Sequence, residues 1–506
     1  MNFKNFLPSN VLFKNISVVG LWTSLSRILG FIRDILMAAF LGSGPMAEAF
    51  LIAFSIPNMF RRLFAEGAFS TAFIPMFSKK IANKADAENF ASESLSLLLT
   101  SLIGLIAIAE LLMPALVFIM ASGFFHDGRF ELTVDYARIM FPYIVFISLA
   151  AFFSGVLNSF NKYSVAAAVP LLLNFFLLSA LVLAHVLEKD YGVFLIVAVP
   201  SAGLIQLFVI WYEARKLNLS IKLKLPVFNK DIKKLLKIAL PAALAGGVIQ
   251  INLLIGRQVA SFFEGAVAWL SYADRLYQLP LGVVGIAIGV VLLPDLSKKV
   301  LNSDKDGINE STNRSAELAL LLIFPATIAL IIIPEIIISI LFERGEFTQE
   351  DTIFSGSALR IYAFGLPAFV FQKILSTIYF SHGNTKSPFN YAIISMFANL
   401  ILAVGLIPMM GYLAPAVGTT IAGWVITWLL WKNAKQFNLR ISKQLKANFL
   451  RISLSSALMC ITLLLLESIF SKELQEPNIR YFAFALLILI STSLYFLTLK
   501  LLGFFK

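Results

Sequence analysis

The chain has 506 residues, 59% of them hydrophobic and only 14% charged, with a net charge of +12 and a mean hydropathy of +0.84. Soluble domains are nearer half apolar and a quarter charged, so these values exclude a soluble globular protein and point to the membrane. Apolar stretches of the ~20 residues needed to cross hydrocarbon recur from end to end, leaving no room for a soluble catalytic domain.

Taken in chain order, the hydropathy pattern predicts about fourteen helical spans, at 16–41, 47–78, 92–122, 133–160, 164–186, 192–214, 236–262, 266–297, 315–341, 353–381, 388–409, 413–432, 449–470 and 480–502. The first residues hold Lys4 and Lys14 but no short apolar core with a small-residue cleavage site, so the first run reads as a permanent span. Basic residues set the orientation. Lys79, Lys80 and Lys84 follow the second span. The richest cluster follows the sixth, from Arg215 and Lys216 through Lys222 and Lys224 to Lys230, Lys233, Lys234 and Lys237. Lys298 and Lys299 follow the eighth span, and Lys432, Lys435 and Arg440 the twelfth. The alternate loops are short or mixed. The positive-inside rule then places both termini in the cytoplasm. Cys460 is the only cysteine, which removes disulfide frameworks and cysteine metal sites from consideration.

The chain also reads as duplicated. The second span ends "FIPMFSKK" (73–80) and the eighth "LLPDLSKK" (292–299), with Pro75 and Pro294, Ser78 and Ser297 and the lysine pairs in register. Six spans precede the basic loop near 215–237 and six follow it, an even number, so the halves are parallel repeats with a cavity expected between them. The expected architecture is an all-α integral membrane protein with an N-terminal lobe (1–218), a C-terminal lobe (219–437) and a final helix pair (438–506).

Charges inside the spans are the main functional signal. The stretch "SRILGFIRD" (26–34) puts Arg27, Arg33 and Asp34 in the first span. The second carries Glu48 near its outer end, then Arg61, Arg62 and Glu66 after a kink at Pro57. The eighth holds Asp274 and Arg275, and the tenth Arg360 and Lys373. Each such charge costs roughly 2.5–3.5 kcal/mol at a helix centre. Several together cost on the order of 10 kcal/mol, comparable to the stability of a domain. Two readings remain open. Arg27 and Asp34 share a helical face two turns apart, as do Glu48 and Arg62, so an ion-pair network could absorb the charge. Alternatively, the surplus of base over acid lines a wet cavity suited to a diphosphate, which arginine binds as a fork and lysine as a point charge.

Other polar groups read as packing. Gln250, Asn252 and Arg257 lie in the seventh span, and Asn174 and Asn399 occupy similar places in the fifth and eleventh. Buried amides in membrane helices usually bond a neighbouring helix. His126, His185 and His382 have no metal-ligand spacing.

Five stretches, "SRILGFIRD" (26–34), "AEAF" (47–50), "PNMFRRLFAEGAFSTAFIP" (57–75), "YADRLYQLPLGVVGIAIG" (272–289) and "LFERGEFT" (341–348), resemble the MurJ/MviN family of lipid II flippases, within the multidrug/oligosaccharidyl-lipid/polysaccharide exporter superfamily. The likeness runs through essentially all the spans. It implies two six-helix lobes around a cationic cavity, a final helix pair that helps form a groove for the lipid tail, and export of undecaprenyl-diphosphate-linked disaccharide-pentapeptide for peptidoglycan synthesis. Carried over position by position, it implies that Arg27, Arg33, Arg61, Arg275 and Lys373 hold the diphosphate and neighbouring groups. Asp34, Glu48, Arg62 and Glu66 are then gating or ion-pair residues, with Glu48 standing where relatives commonly have aspartate. Some relatives bind sodium through acids in the seventh and eleventh helices. Here those spans carry Asn252, Asn390 and Asn399 and no interior acid, which argues against a sodium site.

The expected mechanism is alternating access in the cytoplasmic membrane by a monomer that contacts lipid II and membrane lipids and takes neither cofactor nor nucleic acid. Coupling to membrane potential enters because one charge moved through 100 mV is worth about 2.3 kcal/mol. The alternatives are a flippase for another polyprenyl-linked glycan, a drug/ion antiporter of the same superfamily, and a prenyl-phosphate enzyme. A cationic-drug antiporter favours acidic cavity residues, and an enzyme needs carboxylate clusters that the loops do not supply.

Overall fold

The computed structural model describes residues 10–62, 69–476 and 478–505, and among these the chain is helical, with no strand. The helices are α1 (Asn10–Leu41), α2 (Pro45–Arg61), α3 (Ser70–Lys80), α4 (Lys84–Leu111), α5 (Met113–Ala121), α6 (Arg129–Met140), α7 (Tyr143–Ser159), α8 (Ser164–Val186), α9 (Tyr191–Arg215) and α10 (Lys230–Ala260). There follow α11 (Ala266–Ala287), α12 (Leu293–Leu301), α13 (Lys305–Ile332), α14 (Pro334–Phe342), α15 (Gln349–Ser381), α16 (Lys386–Gly405), α17 (Ile407–Met410), α18 (Ala414–Asn433), α19 (Lys443–Ile469) and α20 (Arg480–Leu501).

Ten of these, counting α6–α7 as one and α17–α18 as another, are long and apolar enough to cross a membrane. The fourteen spans expected from sequence would add α1, α2–α3, α10 and α11–α12, the helices that open each half. Three of these four carry the intramembrane charges Arg27, Arg33, Asp34, Glu48, Arg61, Asp274 and Arg275.

The chain divides into two compact units, residues 1–251 and 252–506, the boundary falling inside α10. In the first unit α1 packs on α8, α8 on α9, α9 on α7 and α2 on α6. In the second, α16 packs on α18, α18 on α15, α15 on α11, and the final pair α19–α20 joins through α13.

The local devices that shape the helices recur in both units. Proline removes a backbone donor and clashes with the preceding turn, and α4 breaks before Pro114 much as α13 breaks before Pro334. Aromatic rings close the helix ends nearest the basic loops. Arg215 stacks over Trp211 at 4.7 Å, Lys216 over Tyr212 at 4.9 Å and Lys432 over Trp428 at 4.9 Å. The chain then turns through Asn218 and Asn438, both in the left-handed region at φ 54°, a conformation asparagine tolerates because its short amide can bond locally.

From each turn an extended strap runs back along the third long helix of its unit. Backbone N–H groups of Ser220, Lys222 and Lys224 donate to Glu88 Oε1 (2.8 Å), Ser92 Oγ (3.0 Å) and Ser96 Oγ (2.8 Å) of α4. Acceptors four residues apart on a helix and donors two apart on an extended chain advance together. The second strap repeats the pattern on α13. Arg440 and Ser442 N–H donate to Asn309 and Asn313 Oδ1 at 2.7 and 2.9 Å, and the Asn313 amide returns a bond to the Arg440 carbonyl at 2.9 Å.

Candidate functional site

The first group of sequence-predicted residues is on α1, whose middle carries "SRILGFIRD". Arg27 is exposed and has no hydrogen-bond or ion-pair partner among the described residues. An exposed guanidinium midway along an apolar helix is costly against lipid. Arg33 is buried. Its Nε and Nη2 donate to Asp34 Oδ1 at 3.1 and 2.6 Å, and its Nη1 to Asn174 Oδ1 of α8 at 3.0 Å. Asp34 thus pairs with its immediate neighbour and not with Arg27, seven residues away, whose face it was expected to share. The long arginine side chain can fold back across the helix surface, a reach that helical spacing alone does not reveal.

At the end of α2, Arg61 is partly buried and its Nε donates to Asn58 Oδ1 at 3.2 Å, while Arg62 is exposed at the helix cap. Glu66 lies outside the described residues.

Glu48, at the start of α2, is wholly buried and accepts a hydrogen bond from Arg129 Nη1 at 2.7 Å. Arg129 opens α6, is itself buried, stacks over the Phe124 ring at 4.3 Å, and gives its other edge to Asp127 Oδ2 at 2.6 and 2.9 Å. That contact holds the Asp127 carboxyl below the usual carboxylate range. Sequence reasoning offered Arg62 as the partner of Glu48 and missed Arg129. The available signal was the short loop "HDGRFE" (126–131), where an arginine flanked by acids sits close to an expected span.

A second group of sequence-predicted residues is in the other unit. Arg275 of α11 is exposed, next to Asp274, which is also within electrostatic reach of Arg257 and hydrogen-bonds Tyr277 and Gln278. Lys373 of α15 is exposed, and its side chain runs over Gly285 of α11, where a Cβ would overlap the ammonium group. Arg360, by contrast, is engaged. Its Nη2 donates to both carboxylate oxygens of Glu335 at 3.0 and 2.9 Å, and its Nε to the Ile331 carbonyl at 3.0 Å.

Where the first unit has Glu48 against Arg129, the second has Trp269 of α11 donating its Nε1 to Asp351 Oδ1 at 2.7 Å at the start of α15. Gly265, at φ +80°, makes room for that indole ring; the backbone there suits glycine, and a Cβ would strike Trp269. Likewise, where α1 and α8 have Arg33 and Asn174, α10 and α16 have Asn252 and Asn399, whose amides bond at 2.7 Å. Away from these charges, an apolar recess of about 270 Å³ lies between α19 and α20, lined by Leu454, Ser455, Leu458, Thr498, Leu501 and Leu502.

The sequence matches the family model described as lipid II flippase MurJ over residues 37–479. It is 44% identical over 421 residues to a probable lipid II flippase MurJ of Rhizobium tropici, covering 82% of this chain and 79% of that protein. It is 36% identical over 467 residues to the Rickettsia prowazekii counterpart, covering 92% of each. Among solved structures, a lipid II flippase MurJ in an inward closed conformation aligns with a TM-score of 0.81 at 27% identity, over 95% of this chain and 97% of that one. An inward-facing multidrug resistance MATE family transporter of the MOP superfamily shares the fold at 17% identity, with a TM-score of 0.68 over 82% of this chain and 94% of that one.

Proposed function

The chain belongs to the lipid II flippase MurJ family, and on that premise we infer that it is a transporter, not an enzyme, and moves lipid II across the bacterial cytoplasmic membrane for cell-wall synthesis. The observation that carries the reading within this chain is Arg27, exposed in the middle of an apolar helix and without an ion-pair partner among the described residues. A basic face of this kind suits a diphosphate and disfavours a cationic drug.

We propose that Arg27, Arg33, Arg61, Arg275 and Lys373 bind the diphosphate and its neighbouring groups. Arg33 enters the cycle neutralised by Asp34, so phosphate oxygens replace a carboxylate and the guanidinium never loses an anionic partner. This exchange limits the desolvation cost of binding. Glu48, paired with Arg129, and the residues Asp34, Arg62 and Glu66 act as gating groups whose partners change during the cycle. The prenyl chain stays in lipid or against the final helix pair, where the recess lined by Leu454, Leu458, Leu501 and Leu502 is apolar. The cycle is one of alternating access by a monomer with both termini in the cytoplasm. Return of the empty basic carrier is the step that feels the membrane potential, at about 2.3 kcal/mol per charge per 100 mV. The N-terminal lobe (1–218), C-terminal lobe (219–437) and final pair (438–506) are the moving parts.

The experiment is replacement. In cells depleted of their own flippase, this chain should restore growth and the exposure of lipid II at the outer face of the membrane. Normal membrane levels of the chain with lipid II still confined to the inner leaflet would overturn the reading.

A further inference from the structure

Two side chains grip Arg33 from different directions, and they do different things. Asp34 supplies a negative charge. Asn174 supplies a neutral carbonyl from another helix, and its own orientation is fixed: its Nδ2 donates to the Ser26 carbonyl at 2.9 Å and to Ser26 Oγ at 3.3 Å, so its Oδ1 faces Arg33. Ser26, Gly30 and Arg33 lie on one face of α1 at successive turns. Gly30 leaves a flat step there, and the Asn174 amide lies over it, 3.5 Å from where a Cβ would stand. We propose that Asn174 is a positioning residue for Arg33: it aims the guanidinium without neutralising it and thereby sets the affinity for the diphosphate.

This inference rests on the reading of Arg33 as a diphosphate ligand. Neighbouring residues on a helix point in different directions, so the Asp34 contact alone draws the guanidinium sideways around α1. A second anchor on α8 opposes that pull, and two anchors fix the plane of a rigid fork. When phosphate displaces Asp34, the Asn174 bond can persist, so the fork meets its ligand already oriented and less conformational freedom is lost on binding.

The second unit supplies an independent comparison. There Asn399 of α16 donates its Nδ2 to Asn252 Oδ1 of α10 at 2.7 Å. That contact between α10 and α16 is one neutral amide with another. In the first unit the Asn174 amide instead accepts from a cation.

The test uses the full chain in liposomes with fluorescent lipid II, measuring the half-saturating lipid II concentration, the maximal rate and the melting temperature. Asn174→Leu should raise the half-saturating concentration about tenfold, the value of one hydrogen bond to a charged group. Its maximal rate should stay within about twofold of the parent. Asn174→Ser, too short to span to Arg33, should behave the same way and covers the case in which leucine unseats α8. In an Arg33→Ala background neither substitution should add a further shift. Parental half-saturation in both Asn174 variants, with Arg33→Ala still weakened, overturns the positioning role and leaves the Arg33 reading standing. A shift that persists in the Arg33→Ala background also overturns it. If Arg33→Ala itself binds lipid II as the parent does, the diphosphate reading fails, and this inference with it.

Discussion

Glu48 and Arg129 are 81 residues apart in sequence and 2.7 Å apart in space, with the carboxylate fully buried and only 8% of the arginine side chain exposed. They join the start of α2 to the start of α6. The second unit makes the corresponding link with the neutral donor Trp269 and the acid Asp351. One half thus uses an ion pair where the other uses an indole, and the two should respond differently to substitution.

Arg129→Ala leaves Glu48 buried without its cation, which costs about 3–5 kcal/mol. The double variant Glu48→Gln/Arg129→Gln removes both charges and should lose distinctly less. Melting temperatures in detergent check this. Equal losses in the two variants would mean that the pair contributes through packing and not through charge.

Asp127 adds a pH dependence whose sign is fixed. Its carboxyl is held below the ordinary 3.8, first by the hydrogen bond from Arg129. A depressed carboxylate contributes stability that is fully present above its unfolded-state pKa and is lost as pH falls through its folded value. At pH 7 the parent should melt above Asp127→Asn, and the gap should close only as the pH drops below about 4. A gap that is constant down to pH 3 would contradict the assignment.

The straps give a prediction about opening. Ser92→Ala together with Ser96→Ala removes the acceptors for Lys222 and Lys224 N–H. At about 0.5–1.5 kcal/mol per bond, two bonds are worth about 1–3 kcal/mol, and the detached population should rise roughly 5–150-fold. Tryptic cleavage after Lys222 and Lys224 should accelerate accordingly, as both side chains are exposed. Unchanged cleavage would show that other contacts hold the strap.

Gly285→Ala tests the placement of Lys373. The added methyl overlaps the far end of a flexible lysine, so the fold can absorb it while the ammonium moves. The variant should keep its melting temperature and lose transport to the extent that Lys373→Ala does. Full transport in Gly285→Ala, with Lys373→Ala impaired, would mean that the lysine works in more than one position.

What the sequence made legible follows from which interactions are local. Membrane insertion and helix class depend on composition and read directly, whereas the proline breaks at Pro114 and Pro334 fall inside the single expected spans 92–122 and 315–341. The internal match around Pro75 and Pro294 made the duplication legible. Partners were harder. Helical periodicity offered Arg27 for Asp34 and Arg62 for Glu48, because spacing along one helix was all there was to use. In the structure Asp34 is held by Arg33, whose side chain folds back. Glu48 takes Arg129 from a helix whose approach is set by tertiary packing. Asn174 read as a generic packing amide because its importance lies in which way its carbonyl faces, and that is fixed by the Ser26 backbone. The straps were invisible for a similar reason: their bonds join backbone groups to side chains more than a hundred residues away.

The most direct test of the central claim is lipid II transport by Arg33→Ala and by Arg275→Ala, one in each unit, with fluorescent lipid II in liposomes at matched protein levels. Both variants should fold, and both should lose most transport at lipid II concentrations that saturate the parent. Parental transport by either one would contradict the assignment of a diphosphate-binding basic site to these residues.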